Sequence, residues 1–269
     1  MKPFIRSCIV STLAAASFAA SAAPIVFTGS GVGPGDAPLS ASASFDIVGN
    51  TLTITLSNIA GNNLAQDVNG STLTGLFFDL TGNPLLTPLS AALSAGSTIW
   101  NAGACSYGCA GNPSLGGEFG YAAGAFPGGA DRGISSSGYL STGLSGNIGN
   151  FNGGAAGTDL DDPASLDGIN FGIISNAAGF DPSGTLASEP LIRDSVTFTL
   201  TGVSGLMNSD ISHVSFQYGT AIDEARITGA CSQGCGGRGI EVSNVPEPAS
   251  LSLVGVALLG LTRLRRKSA

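Results

Sequence analysis

Two near-copies of one phrase carry the most reactive side chains of this sequence: GACSYGCAG from Gly103 and GACSQGCGG from Gly229. Each sets two thiols four positions apart, Cys105 with Cys109 and Cys231 with Cys235. Three chemistries fit that spacing. Local disulfides would each close a tiny, Gly-assisted loop, and crossed disulfides would close a loop of more than a hundred residues with a larger entropic effect. A Cys₄ metal site is the third, since C-x₃-C lies within the broad spacing of structural zinc. The segment TDLDDPASLDG gathers Asp159, Asp161, Asp162 and Asp167, oxygen ligands of the kind calcium takes. Its spacing is not that of an EF-hand and no Glu completes it, so a solvated acidic turn is the expectation and calcium the weak alternative.

Catalytic machinery is harder to assemble. His213 is the only histidine and reads as an exposed strand residue. There is no G-x-S-x-G elbow, no H-E-x-x-H and no Walker loop. A pair of carboxylates could still serve glycoside hydrolysis, because their separation in space is invisible from sequence. The expectation is a protein that is not an enzyme and needs no cofactor.

The elements that would position these groups read as strands. Ala43, Phe45 and Ile47 alternate with small or polar residues, and Leu52, Ile54 and Leu56 do so beyond Gly49-Asn50. A period of two on either side of a turn dipeptide is a β-hairpin, with Thr51, Thr53 and Thr55 on its wetter face. Further strands are expected at 25–28, 72–79, 170–174, 195–201 and 212–218, while 85–93 reads as a strand or a short helix. Short alternating strands separated by turn residues predict an all-β fold, a jelly-roll-like β-sandwich. Residues 102–158 differ, with seventeen glycines among fifty-seven residues and scattered aromatics. They read as a long Gly-rich insertion pinned by its aromatics, or else as a binding surface that exposes Tyr121 and Tyr139.

Charge sorts by segment. Between Ala23 and Val245 four Arg face seventeen Asp and Glu, a balance of −13 with no Lys. Such a body repels phosphate backbones, which argues against nucleic-acid binding. The cations cluster outside it. Lys2 and Arg6 precede an apolar run and then Ala20-Ser21-Ala22, the pattern of a secretory signal read by the Sec machinery and by signal peptidase, with the cut between Ala22 and Ala23. Four cysteines then remain in an exported chain, which favours disulfides.

The other cations follow an apolar stretch. Ala249 to Thr262, fourteen residues, would span about 21 Å as a helix, short of the ~30 Å hydrocarbon core. Arg263, Arg265, Arg266 and Lys267 can snorkel to headgroups and would hold this end in the cytoplasm, with the body outside. Pro246 and Pro248 keep the preceding segment extended. Val245-Pro246-Glu247-Pro248, the short apolar helix and the basic cluster, in that order, resemble the PEP-CTERM sorting signal of Gram-negative bacteria. That resemblance implies recognition and removal of the tail by exosortase, then delivery to the cell surface or extracellular matrix, commonly beside exopolysaccharide.

The expected organisation is a signal peptide at 1–22, an extracytoplasmic domain at 23–243 and a sorting segment at 244–269. The expected role is a structural or adhesive one in the exopolysaccharide or biofilm layer. The competing expectation is a secreted carbohydrate-binding module or glycoside hydrolase that uses the same route.

Overall fold

A computed structural model describes residues 23–61, 69–104, 115, 118–126, 129–136, 149–151, 169–177, 184–219 and 224–235. All of these belong to the first of two units, residues 1–235. Among them the fold is all-β, with only short 3₁₀ turns besides strands. One sheet contains β1 (Ile25–Val32), β2 (Pro38–Val48), β3 (Thr51–Asn58), β5 (Thr87–Leu93), β12 (Ser195–Thr201) and β15 (Ala230–Gln233). Its order is β15-β1-β2-β3-β12-β5, and every neighbouring pair is antiparallel.

The second sheet is built around β4 (Leu73–Leu80). Along one edge of β4 runs β13 (Ile211–Tyr218), itself flanked by β14 (Arg226–Thr228). The other edge is shared by β8 (Arg132–Ser135) and β10 (Ile173–Ile174). From β8 the sheet continues to β7 (Gly120–Ala123) and β9 (Gly149–Asn150). From β10 it continues through a parallel pair to β11 (Leu191–Arg193) and then β6 (Thr98–Trp100). The chain crosses from sheet to sheet between β3 and β4, β4 and β5, β5 and β6, β11 and β12, β12 and β13, and β14 and β15.

The hairpin forms as its alternation requires. Phe45 faces Ile54 and Ile47 faces Leu52, all of them buried, while Thr51, Thr53 and Thr55 stay half-exposed. Gly49 takes the turn at φ +63°, where a side chain would strain the backbone. Segment 85–93 resolves as a strand, because β12 offers it a ladder from Val196 to Thr201.

The sheets pack face to face. Phe45 meets Phe27 edge-on at 5.8 Å within its own sheet and Phe78 of the other at 5.3 Å. Phe119 and Phe151 close on Phe198 at 5.0 and 5.1 Å. Each such ring contributes roughly 2–3 kcal/mol through burial. Two of these rings come from the Gly-rich insertion, which also supplies β7, β8 and β9 to the second sheet. Its described part is therefore woven into the sandwich, where Gly permits close approach. A Cβ on Gly133 would lie 2.6 Å from the ring of Phe77, itself stacked on Phe126 at 5.0 Å. The expectation of an exposed Tyr121 is overturned: paired opposite Ile134, it faces the interior and is buried. Tyr139 lies outside the described residues.

Candidate functional site

Ionisable groups gather where β4, β8 and β13 approach one end of the sandwich. Opposite β4, the ladder of β13 slips so that His213 and Val214 both stand against Phe78, a bulge with His213 at φ +48°. The bulge turns the only histidine onto Asp79, with Nδ1 at 2.6 Å from Oδ2. The His213 side chain is 68% exposed, so the pair contributes about 0.5 kcal/mol. The other Asp79 oxygen accepts the Asp131 backbone N–H at 2.6 Å. One oxygen of this carboxylate thus ties the bulge of β13 to β4, and the other ties the residue before β8 to the same strand.

Beside it Arg132 is wholly buried. Its guanidinium donates to Asn83 Oδ1 and to the Pro84 carbonyl, the latter at 3.1 Å, and lies 3.4 Å from Asp131 Oδ1. A buried cation needs such partners, since an unpaired charge in the interior costs several kcal/mol. Burial, and then neighbouring Asp79, raise the Asp131 carboxyl above the ordinary aspartate range, with Arg132 opposing them. Burial likewise pushes up the Tyr121 phenol. Asn83, Gly124, Ala125, Gly129, Ala130 and Asp131 line a cleft of about 290 Å³ alongside. Small side chains and peptide groups dominate that lining, and Asp131 and Asn83 are the polar groups held in place by Arg132. Chemically, the cluster is a strap that fastens the insertion to β4, with one carboxyl able to hold its proton above the usual range.

The sequence signals for this cluster are faint. Arg132 is one of only four cations between Ala23 and Val245, and an acid precedes it. Asp79 and His213 are 134 positions apart and nothing local joins them.

Of the residues singled out from sequence, Cys231 and Cys235 form a local disulfide, Cα atoms 5.9 Å apart, on and just beyond β15. For this pair that bond replaces the crossed and the metal alternatives. Ala23 begins the described chain. Its carbonyl accepts the Asn208 Nδ2–H at 2.8 Å, while Asn208 Oδ1 accepts the Ile47 N–H at 2.6 Å. Ala22, Cys105, Cys109, Asp159, Asp161, Asp162 and Asp167 lie outside the described residues, as do Val245 to Pro248 and the basic cluster from Arg263 to Lys267. Among the described residues no group of three or more His, Cys, Asp or Glu converges as metal ligands, and no helix is long and apolar enough to cross a membrane.

Comparison with known proteins bears on the segment after β15. A family model described as the PEP-CTERM protein-sorting motif matches residues 244–267. The chain carries a PEP-CTERM sorting signal. This PEP-CTERM protein is therefore exported, addressed to exosortase for processing and sorted to the cell surface. No curated protein and no solved structure matches the chain. The motif says where the molecule goes and assigns no activity to the sandwich.

Proposed function

We propose that this PEP-CTERM protein is a non-enzymatic component of the cell surface or extracellular matrix. The observation that carries the reading is the sorting motif at 244–267, which makes the tail a substrate for another enzyme. In this reading signal peptidase cuts between Ala22 and Ala23. Residues 249–262 then hold the chain in the inner membrane, with Arg263, Arg265, Arg266 and Lys267 on the cytoplasmic side. Exosortase cuts near Val245-Pro246-Glu247-Pro248, and the acidic sandwich is released to an adhesive or structural role in the exopolysaccharide layer. The buried rings of Phe119, Tyr121, Phe126 and Phe151 support it, since they assign the described part of the insertion to folding.

Intact-mass analysis of the protein recovered from its native host tests the route. Loss of residues 1–22 and of the tail near Pro-Glu-Pro is the expected result; a mass that retains both ends would overturn it. Deleting the gene should weaken cell aggregation or matrix retention without removing a hydrolytic activity. The cleft beside Asp131 favours a second reading, a carbohydrate-binding or hydrolytic site. Binding or turnover on a glycan panel that disappears in Asp131→Asn would establish that reading in place of the first.

A further inference from the structure

The two ends of the described chain meet at one end of the sandwich. Ala23 is held by Asn208, Asn208 holds Ile47, and a Cβ on Gly234 would lie 2.8 Å from the Pro24 carbonyl oxygen. Cys235, the last described residue, therefore sits beside the first. The same end carries the turn between β2 and β3, the loop after β12 and the approach to β5. Asn50 Oδ1 ties the first two by accepting the N–H groups of Gly202 and Ser204 at 3.2 and 3.1 Å, and Gly202 lies tight against the Leu85 carbonyl. Three large apolar side chains project there into solvent: Val48 at 55% exposure, Leu85 at 72% and Met207 at 52%.

Exposure by itself does not choose this end, because Val32 and Ile59 are exposed at the opposite one. Chain length does. Thirteen residues, 236–248, separate Cys235 from the apolar run at Ala249. At ~3.6 Å per step that link reaches about 50 Å at most. The eleven residues of β2 alone extend about 37 Å at 3.4 Å each. Turning the opposite end toward lipid would require the link to run back along the sandwich and consume most of its reach. With Cys235 facing the lipid, none of that reach is needed.

We propose that, while the tail is anchored, this end of the sandwich docks on the bilayer surface, with Val48, Leu85 and Met207 in the headgroup region. The proposal rests on the anchored-tail reading above. Apolar side chains at the interface contribute by leaving water, and the body docks only because the tail holds it at high local concentration. Asp79 and Asp131 lie toward this end, so zwitterionic lipid is the favoured surface and anionic lipid weakens the contact.

The test uses the chain exported in a host without exosortase, reconstituted into phosphatidylcholine vesicles with brominated acyl chains. In a Trp100→Phe background, tryptophan is placed either at the proposed contact, Met207→Trp, or at the far end, Val32→Trp. Both positions are exposed, and unchanged circular dichroism confirms the fold of each variant. The expected result is a blue shift and loss of roughly half the emission for Met207→Trp, as for a ring at headgroup depth, with Val32→Trp unaffected. Equal quenching at both positions, or none at 207 in chains that float with the vesicles, overturns the docking alone. Chains that fail to float refute the anchored tail, and the docking falls with it. A blue shift at 207 that grows with protein concentration without lipid assigns the patch to a second copy and also overturns the proposal.

Discussion

Asn208 and Asn50 make a matched test of whether burial or the number of hydrogen bonds sets the cost of losing a polar side chain. Asn208 is buried and makes two bonds, one from the Ile47 N–H at 2.6 Å and one to the Ala23 carbonyl at 2.8 Å. Asn50 is exposed, and its Oδ1 accepts three bonds, from Gly202 N, Ser204 N and Ser204 Oγ at 3.2, 3.1 and 2.8 Å. Asn208→Ala strands the Ile47 N–H away from water, at about 1–3 kcal/mol, and deletes the bond to Ala23, at about 0.5–1.5 kcal/mol. The sum is about 1.5–4.5 kcal/mol. Asn50→Ala opens its donors to solvent, which replaces the lost acceptor, so its cost is about 0.5–1 kcal/mol despite the larger number of bonds. Urea denaturation reads both. With a slope of about 3 kcal/mol/M, Asn208→Ala lowers the midpoint by about 1 M and Asn50→Ala by about 0.3 M, at unchanged slope. Hydrogen exchange at the Ile47 amide should accelerate in the first variant only. If Asn50→Ala costs as much as Asn208→Ala, or the Ile47 amide keeps its protection in Asn208→Ala, the assignment of stability to burial is refuted.

Three further outcomes follow from the geometry. Replacing Cys231 and Cys235 by Ser opens a loop of sequence separation 4 and lowers stability by about 2 kcal/mol at most, read by the same titration; a much larger loss would mean that the bond restrains more than its own turn. Gly133→Ala drives a methyl into Phe77 and Phe126 and costs about 1–3 kcal/mol, with earlier proteolytic cleavage within 118–136; wild-type protease resistance would contradict that packing. Because the folded state raises the Asp131 carboxyl, the stability this group contributes is complete below the ordinary aspartate range and is lost as pH rises through its raised value. Asp131→Asn should flatten that part of a stability–pH curve, and an unaltered slope would count against the cause.

Much of the fold was legible in the sequence where one face of a strand meets the core and the other meets water. The hairpin around Gly49 and strand β12 show that contrast as a period of two, and β2 and β3 pair across a turn short enough to be read locally. Strand β4, with the sequence LTGLFFDL, is buried almost throughout, with Phe77 covered by Phe126 of the insertion, so it shows no strict period of two. Strands β7 to β9 escaped because Gly-dense segments carry no alternation, even though β7 and β8 are neighbours in sequence as well as in the sheet.

The destination of this protein was written in contiguous residues, since a sorting enzyme reads a short linear segment: Val245 to Lys267 needs no tertiary fold to be legible. The meeting of Asp79 with His213, the burial of Arg132 and Tyr121, and the convergence of Ala23 with Cys235 are different in kind. Each joins positions tens to hundreds of residues apart, through a bulge, a sheet crossing or a shared sheet edge. Sequence spacing holds no record of such contacts, and only the packing of the two sheets brings them about.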